Sequence, residues 1–159
     1  QSSLAQVLDS AGKHDEAIAT YRAAIQLAPD DPILWGNLGW AQYNAARYDE
    51  AVQSSRKALQ LDPKLAYVRF NLGLIASVRD RWNEAKREYD QALALASASD
   101  IHAGVGDVRD ALTKQPKVRA LRQALDYLSK AERKALSLRY STPPAADRTS
   151  SKPESAGTP

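Results

Sequence analysis

Apolar residues recur at helical spacing along most of the chain, in short runs separated by polar turns. Successive runs predict pairs of antiparallel helices, helix A and helix B, joined by short connections. Asp15, Asp49 and Asn83 are residue types that cap helix N-termini, so we expect each helix B to begin at one of them. Pro29 and Pro63 predict the ends of the first two B helices, because proline disfavours helical backbone in the residue before it.

The helix pairs repeat without gaps. The sequence Asp-Glu-Ala at 15–17 returns 34 residues later at 49–51, and as Asn-Glu-Ala at 83–85. A period of this length is typical of an α-solenoid, in which each helix pair packs on its neighbours. Gly39 and Gly73 lie one period apart and predict a close approach of helix A to helix B, so a bulky residue at Gly39 should be disruptive.

The repeated residues resemble a known family, the tetratricopeptide repeat, at Trp35, Leu38, Gly39, Ala51, Ala58 and Pro63. The pattern departs at Gln42, where an aromatic residue is usual, and at Ser55, where the other two units have Tyr. The resemblance covers roughly 1–97 and implies an all-α, right-handed α-solenoid of helix hairpins. The units it implies, the first of them truncated, lie at about 1–31, 32–65 and 66–99.

The C-terminal part departs from the repeat. Ser and Gly at 98–106 predict a break, followed by a short helix over 107–114 that fits only the second half of a degenerate fourth unit. A longer amphipathic helix is expected over about 117–140 as a cap on the solenoid. Residues 98–140 are therefore interpreted as a degenerate half-repeat and a capping helix. The composition of 141–159 predicts a disordered tail.

Helix A of each unit lines the concave face of such a solenoid, where repeat proteins bind peptides or partner helices. The predicted function is therefore a non-catalytic scaffold that binds a protein or peptide. Two arrangements stay open: the concave residues contact a partner, or they pack against neighbouring helices or a C-terminal segment folded into the groove. The helical wheel turns toward this face Asn37, Trp40, Tyr43, Asn44, Tyr67, Phe70, Asn71 and Leu74.

Asn37 and Asn71 lie one period apart, and a side-chain amide can both donate to and accept from a peptide backbone. Their spacing resembles the asparagine ladder in the tetratricopeptide domain of O-GlcNAc transferases. The carboxylate clamp of chaperone-binding members is not expected, because Ser2, Gln6 and Tyr67 stand where cationic or amide groups would be required.

The net charge of +3 is unevenly distributed. Residues 1–113 hold 12 Lys and Arg against 15 Asp and Glu, residues 114–140 hold 8 against 2, and residues 141–159 hold 2 against 2. A solvated capping face explains the basic stretch best. The alternative is that 114–140 acts as the recruitment arm of a larger enzyme or membrane-associated assembly. The possible basic surface comprises Lys117, Arg119, Arg122, Lys130, Arg133 and Lys134, with Arg139 beyond them.

No motif predicts catalysis, a cofactor, a metal or a small-molecule substrate. The chain has no Cys, and we expect neither His14 in a turn nor His102 in the predicted break to meet carboxylates at metal-ligand spacing. Protein or peptide partners are expected, self-association is possible, and nucleic acid or membrane binding is disfavoured. A soluble protein of the cytoplasm or a bacterial periplasm is expected. Because Met is absent, we expect Gln1 to begin a processed protein or a fragment.

Overall fold

The described part of the computed structural model, residues 2–141 with side chains through 139, consists of helices joined by short turns. Consecutive helices pair into four antiparallel hairpins that stack in chain order, and the odd-numbered helices contact each other along one side of the stack. The predicted all-α solenoid is confirmed. The predicted tail at 142–159 lies outside the described residues. The helices are α1 Ser2–Ser10, α2 His14–Leu27, α3 Pro32–Asn44, α4 Tyr48–Leu61, α5 Ala66–Val78, α6 Trp82–Leu93, α7 Ala98–Lys114 and α8 Arg119–Ser141.

The predicted caps of the B helices are wrong. Helices α2, α4 and α6 each begin one residue before Asp15, Asp49 or Asn83, and no side chain caps them. Asp15 and Asp49 lie instead in the first helical turn, where a carboxylate interacts favourably with the helix dipole. Each also forms an ion pair with an arginine of the following hairpin, Asp15 with Arg47 and Asp49 with Arg79, both at 2.9 Å. These recurring acids therefore join hairpins.

Helix α3 begins at residues that favour a helix N-terminus. Asp31 is its N-cap, and the carboxylate accepts hydrogen bonds from the backbone N–H groups of Ile33 at 2.9 Å and Leu34 at 3.4 Å. Pro32 follows at the first helical position, where its missing N–H costs no hydrogen bond. Helix α2 ends two residues before Pro29, as predicted.

The predicted break at 98–106 is wrong, because α7 runs without interruption through it. Ser97 caps the helix: its hydroxyl accepts from the Asp100 N–H at 3.2 Å, and the Asp100 carboxylate accepts from the Ser97 N–H at 2.7 Å. Gly104 lies inside the helix and faces Phe70, whose ring would be 2.9 Å from a Cβ at this position. The glycine that suggested a break is thus a packing residue, and α7 with α8 forms a fourth hairpin.

Removing this cap should weaken the fourth hairpin. We expect Ser97→Ala to lower the free energy of unfolding by about 1 kcal/mol, because the N–H of Asp100 loses its acceptor. Urea denaturation followed by circular dichroism measures the change. Ser99→Ala is the matched control, since Ser99 is exposed in the first turn and caps nothing. Equal midpoints for the two variants would contradict the role of the cap.

The core continues through the C-terminal helices. Leu121 and Leu128 of α8 are 0% exposed and pack into one cluster with Phe70, Leu74 and Tyr89 of the third hairpin. A second cluster fills the first two hairpins around residues such as Ala5, Ile18, Tyr21, Leu34 and Leu38. Helix α8 therefore shares one hydrophobic core with the third hairpin and α7.

Candidate functional site

The structure separates the eight predicted groove residues into those that make internal contacts and those that line a cleft. Phe70 and Leu74 are 5% and 2% exposed, and both belong to the core cluster that includes Val105 and Val108 of α7. Helix α7 lies against α5 and covers this part of the concave face. Phe70 and Leu74 therefore pack against the C-terminal segment, which occupies this part of the groove, and do not face a partner.

Tyr43 and Asn44 contribute mainly to internal contacts. The Tyr43 ring lies between Trp40 and Tyr48, with ring centroids 5.2 and 5.9 Å away, and burial raises the pKa of its hydroxyl. The Asn44 amide donates to the Asp9 carboxylate at 2.8 Å and so joins α3 to α1. The Asn44 amide is free for a ligand only if this hydrogen bond is lost, and the Tyr43 ring is held by its two aromatic neighbours.

The other four predicted groove residues line one cleft between α3, α5 and α7. Its volume is about 250 Å³, and its lining consists of Asn37, Trp40, Tyr67, Asn71 and Asp107. Four of these five were predicted to line the concave face, and the structure brings them together. The fifth, Asp107, comes from the helix that was expected to start only there. Following the apolar spacing upstream of Asp107 would have predicted α7 at its full length, with Asp107 inside the helix.

Asn71 is the most unusual residue of the cleft. Its side chain is buried, at 7% residue exposure, yet within residues 2–141 it makes no hydrogen bond. Asn37 is half-buried in the same cleft and likewise has no hydrogen-bond partner among those residues. Both amides are therefore available to polar groups that enter the cleft.

Tyr67 contributes its ring to the cleft but not its hydroxyl. The hydroxyl is buried without a hydrogen-bond partner against Gly36, where a Cβ would lie 2.4 Å from it. Burial, with smaller contributions from Asp31, Tyr21 and Asp62, raises the pKa of Tyr67 to about 12. Gly36, which the helical wheel turns toward the groove, is thus covered by Tyr67 and allows the ring to lie close to α3.

Asp107 makes the cleft acidic at neutral pH. Its carboxylate forms no hydrogen bond or ion pair within the described residues, and burial, reinforced by Asp110, raises its pKa from 3.8 to about 6. Tyr43 of α3 and Tyr89 of α6 face the same carboxylate, since the charge of Asp107 contributes to the raised pKa of each. None of these neighbours supplies a positive charge.

The raised pKa of Asp107 predicts that the free energy of unfolding depends on pH. The folded state holds the Asp107 proton more tightly than the unfolded chain, so this contribution to stability is complete below about pH 4 and lost as the pH rises through about 6. We expect Asp107→Asn to be more stable than wild type by about 1 kcal/mol at neutral pH, with the difference vanishing in acid. Urea unfolding at both pH values measures it. If Asp107→Asn and Asp126→Asn follow the same pH dependence, the carboxylate is not buried as described.

The basic residues of α8 are exposed. Lys130 pairs with Asp126 on the same helix at 2.7 Å, whereas Arg133 and Lys134 form no ion pair within the described residues. The helix is held to the third hairpin by its other side, where the Ala120 N–H donates to Asp80 at 2.8 Å. Lys117, Arg119 and Arg122 are exposed near its start, so the predicted basic face points away from the core.

Each histidine has one carboxylate partner among the described residues. His14 begins α2 and bonds Asp9 at 2.7 Å; His102 lies on α7 and bonds Glu132 of α8 at 2.6 Å. Each contact joins the two helices of one hairpin. Across residues 2–141 there is no cluster of three or more side chains suited to a metal ion. None of the helices there is long and apolar enough to span a membrane.

Comparison with known proteins identifies the repeat. Residues 3–66 match the family model of the tetratricopeptide repeat. No curated protein sequence matches the chain. Its fold is similar to the crystal structure of the Sgt2 TPR domain from Aspergillus fumigatus, with a TM-score of 0.57 and 20% sequence identity over 94% of this chain and 87% of that one. These matches show tetratricopeptide repeats in residues 3–66, and the stacked hairpins of the described residues share the fold of a TPR domain.

Proposed function

We propose that the chain binds an extended segment of a partner protein in the cleft between α3, α5 and α7. The observation that carries this proposal is the buried side chain of Asn71, which lines the cleft and has no hydrogen-bond partner within residues 2–141. A peptide backbone supplies both the donor and the acceptor that a side-chain amide requires. Asn37, one repeat earlier in the sequence, offers a second such amide to the same segment.

The aromatic side chains of the cleft would provide the apolar contact. Trp40 is only half-buried, and large aromatic residues in partly closed pockets often dominate the energy of protein interfaces. A cleft of about 250 Å³ is small beside the roughly 300 to 1,000 Å³ of sites that enclose small molecules. Its size suits one or two side chains of an extended segment.

A second surface, the basic face of α8, is favoured by the exposed side chains of Arg133 and Lys134, which form no ion pair within residues 2–141. It would recruit an acidic partner or membrane surface as part of a larger assembly. The dependence of partner binding on salt concentration distinguishes the two proposals, because exposed ion pairs weaken with ionic strength while aromatic contacts persist. A partner held at low salt and released at high salt would favour α8 over the cleft.

The test is selection from a randomised peptide library with the full chain as target, followed by affinity measurement on variants. We expect Trp40→Ala and Asn37→Ala each to weaken the selected peptides by roughly tenfold, the equivalent of 1.4 kcal/mol. Trp82→Ala is the matched control, since Trp82 is a half-buried tryptophan on α6 outside the cleft. It should bind the peptides as wild type does.

Two results would count against the proposal. The first is a library that yields no peptide; the second is a set of peptides that Trp40→Ala and Asn37→Ala bind as tightly as wild type. Trp40 packs on the core, so its variant is checked for folding by thermal unfolding. Asn37 makes no hydrogen bond within the described residues, so Asn37→Ala tests the cleft even where Trp40→Ala is unstable.

A further inference from the structure

Several carboxylates of the solenoid form ion pairs with arginines, whereas Asp107 forms none within residues 2–141. Asp49, for example, pairs with Arg79 of the next hairpin at 2.9 Å. Within residues 2–141, neither Asp107 nor Asp110 forms an ion pair, although Asp107 is the more buried of the two. Two carboxylates one helical turn apart, with no cation between them among the described residues, repel each other.

Asp107 lines the open cleft of about 250 Å³ between α3, α5 and α7, together with the rings of Trp40 and Tyr67. Asn71 faces the same cleft with a buried side chain that has no hydrogen-bond partner among the described residues. A carboxylate and an amide therefore point to a ligand that donates hydrogen bonds.

We infer that Asp107 binds a cationic side chain, Arg or Lys, of the partner segment, with Asn71 beside it and the rings of Trp40 and Tyr67 flanking the cleft. This inference rests on the binding function proposed above and names the residue type that the cleft selects. An aromatic face attracts a cation, and the attraction is stronger where water is excluded. A charge-assisted hydrogen bond to a half-buried carboxylate adds to this attraction.

Electrostatics disfavours an acidic or a purely apolar partner segment in the cleft. An acidic segment would bring a third negative charge to Asp107 and Asp110, and a purely apolar one would bury the Asp107 carboxylate without compensation. The raised pKa of Asp107 reflects how poorly water already stabilises its charge. A cationic side chain is the group that relieves both the repulsion and the desolvation.

The inference is tested by selecting the same randomised peptide library on wild type and on Asp107→Asn in parallel. We expect Arg or Lys to be enriched at one position of the wild-type peptides and not enriched in peptides selected on Asp107→Asn. Asp126→Asn is the matched control, because Asp126 is an exposed aspartate on α8 away from the cleft. Selection on it should return the wild-type pattern.

A single selected peptide gives the quantitative form of the test. Replacing its cationic residue by a neutral isostere, citrulline for Arg or acetyl-lysine for Lys, should weaken binding to wild type roughly tenfold and binding to Asp107→Asn by less than about twofold. Peptides that require Trp40 and Asn37 but show no cation enrichment, or an equal loss on both proteins, would overturn this inference and leave the proposed function intact. A library without any cleft-dependent binder would overturn both.

Discussion

Leu128→Ala is expected to lower the free energy of unfolding by about 2 to 5 kcal/mol, the range for removing a fully buried leucine. Leu128 is 0% exposed and lies on α8, beyond the residues that the repeat pattern covers. It packs into the cluster formed with Phe70, Leu74 and Val105, so the loss leaves a cavity between the third and fourth hairpins. Chemical denaturation measures the change.

The matched control for this variant is Leu136→Ala on the same helix. Leu136 is 43% exposed, so we expect a change below about 1 kcal/mol. Comparable small effects for Leu128→Ala and Leu136→Ala would contradict the docking of α8 and would favour a core that ends with the third hairpin. A large difference between them makes α8 part of the cooperative fold.

Gly73→Ala is expected to destabilise the protein by about 1 to 2 kcal/mol, although alanine favours helix by about 1 kcal/mol over glycine. A Cβ at Gly73 would lie 2.5 Å from Cε1 of Tyr89 and 2.7 Å from Cδ1. Tyr89 is 1% exposed and its hydroxyl lies 3.3 Å from that of Ser77, so the ring cannot move away without disturbing the core. Helices α5 and α6 must then separate.

Gly106→Ala is the control that isolates this cause. Gly106 also lies inside a helix, but a Cβ there would meet nothing within 4 Å. The same substitution should therefore stabilise the protein by about 0.5 to 1 kcal/mol, because only the helix propensity changes. The two variants are predicted to shift the thermal midpoint in opposite directions. Shifts of the same sign would contradict the close approach of α5 and α6.

Much of the candidate site could be predicted from the repeat. Asn37, Trp40, Tyr67 and Asn71 follow from the helical wheel of α3 and α5, because residues one repeat apart occupy equivalent positions on stacked hairpins. Phe70 and Leu74 satisfy the same geometry, yet they are buried. Their accessibility depends on whether a further helix packs on α5, and the periodicity of α5 holds no information about that.

The sequence by itself determined the first three hairpins, their order and the close contact of α5 with α6, since the 34-residue spacing and glycines such as Gly73 act within or between adjacent helices. Only the tertiary structure decided that the C-terminal segment is helical through 98–114 and packs on α5. Gly104 predicts a break from local propensity, which penalises glycine in a helix, but its contact with Phe70 makes the missing side chain favourable. The same packing brings Asp107 into the cleft, a position fixed by contacts between residues distant in sequence.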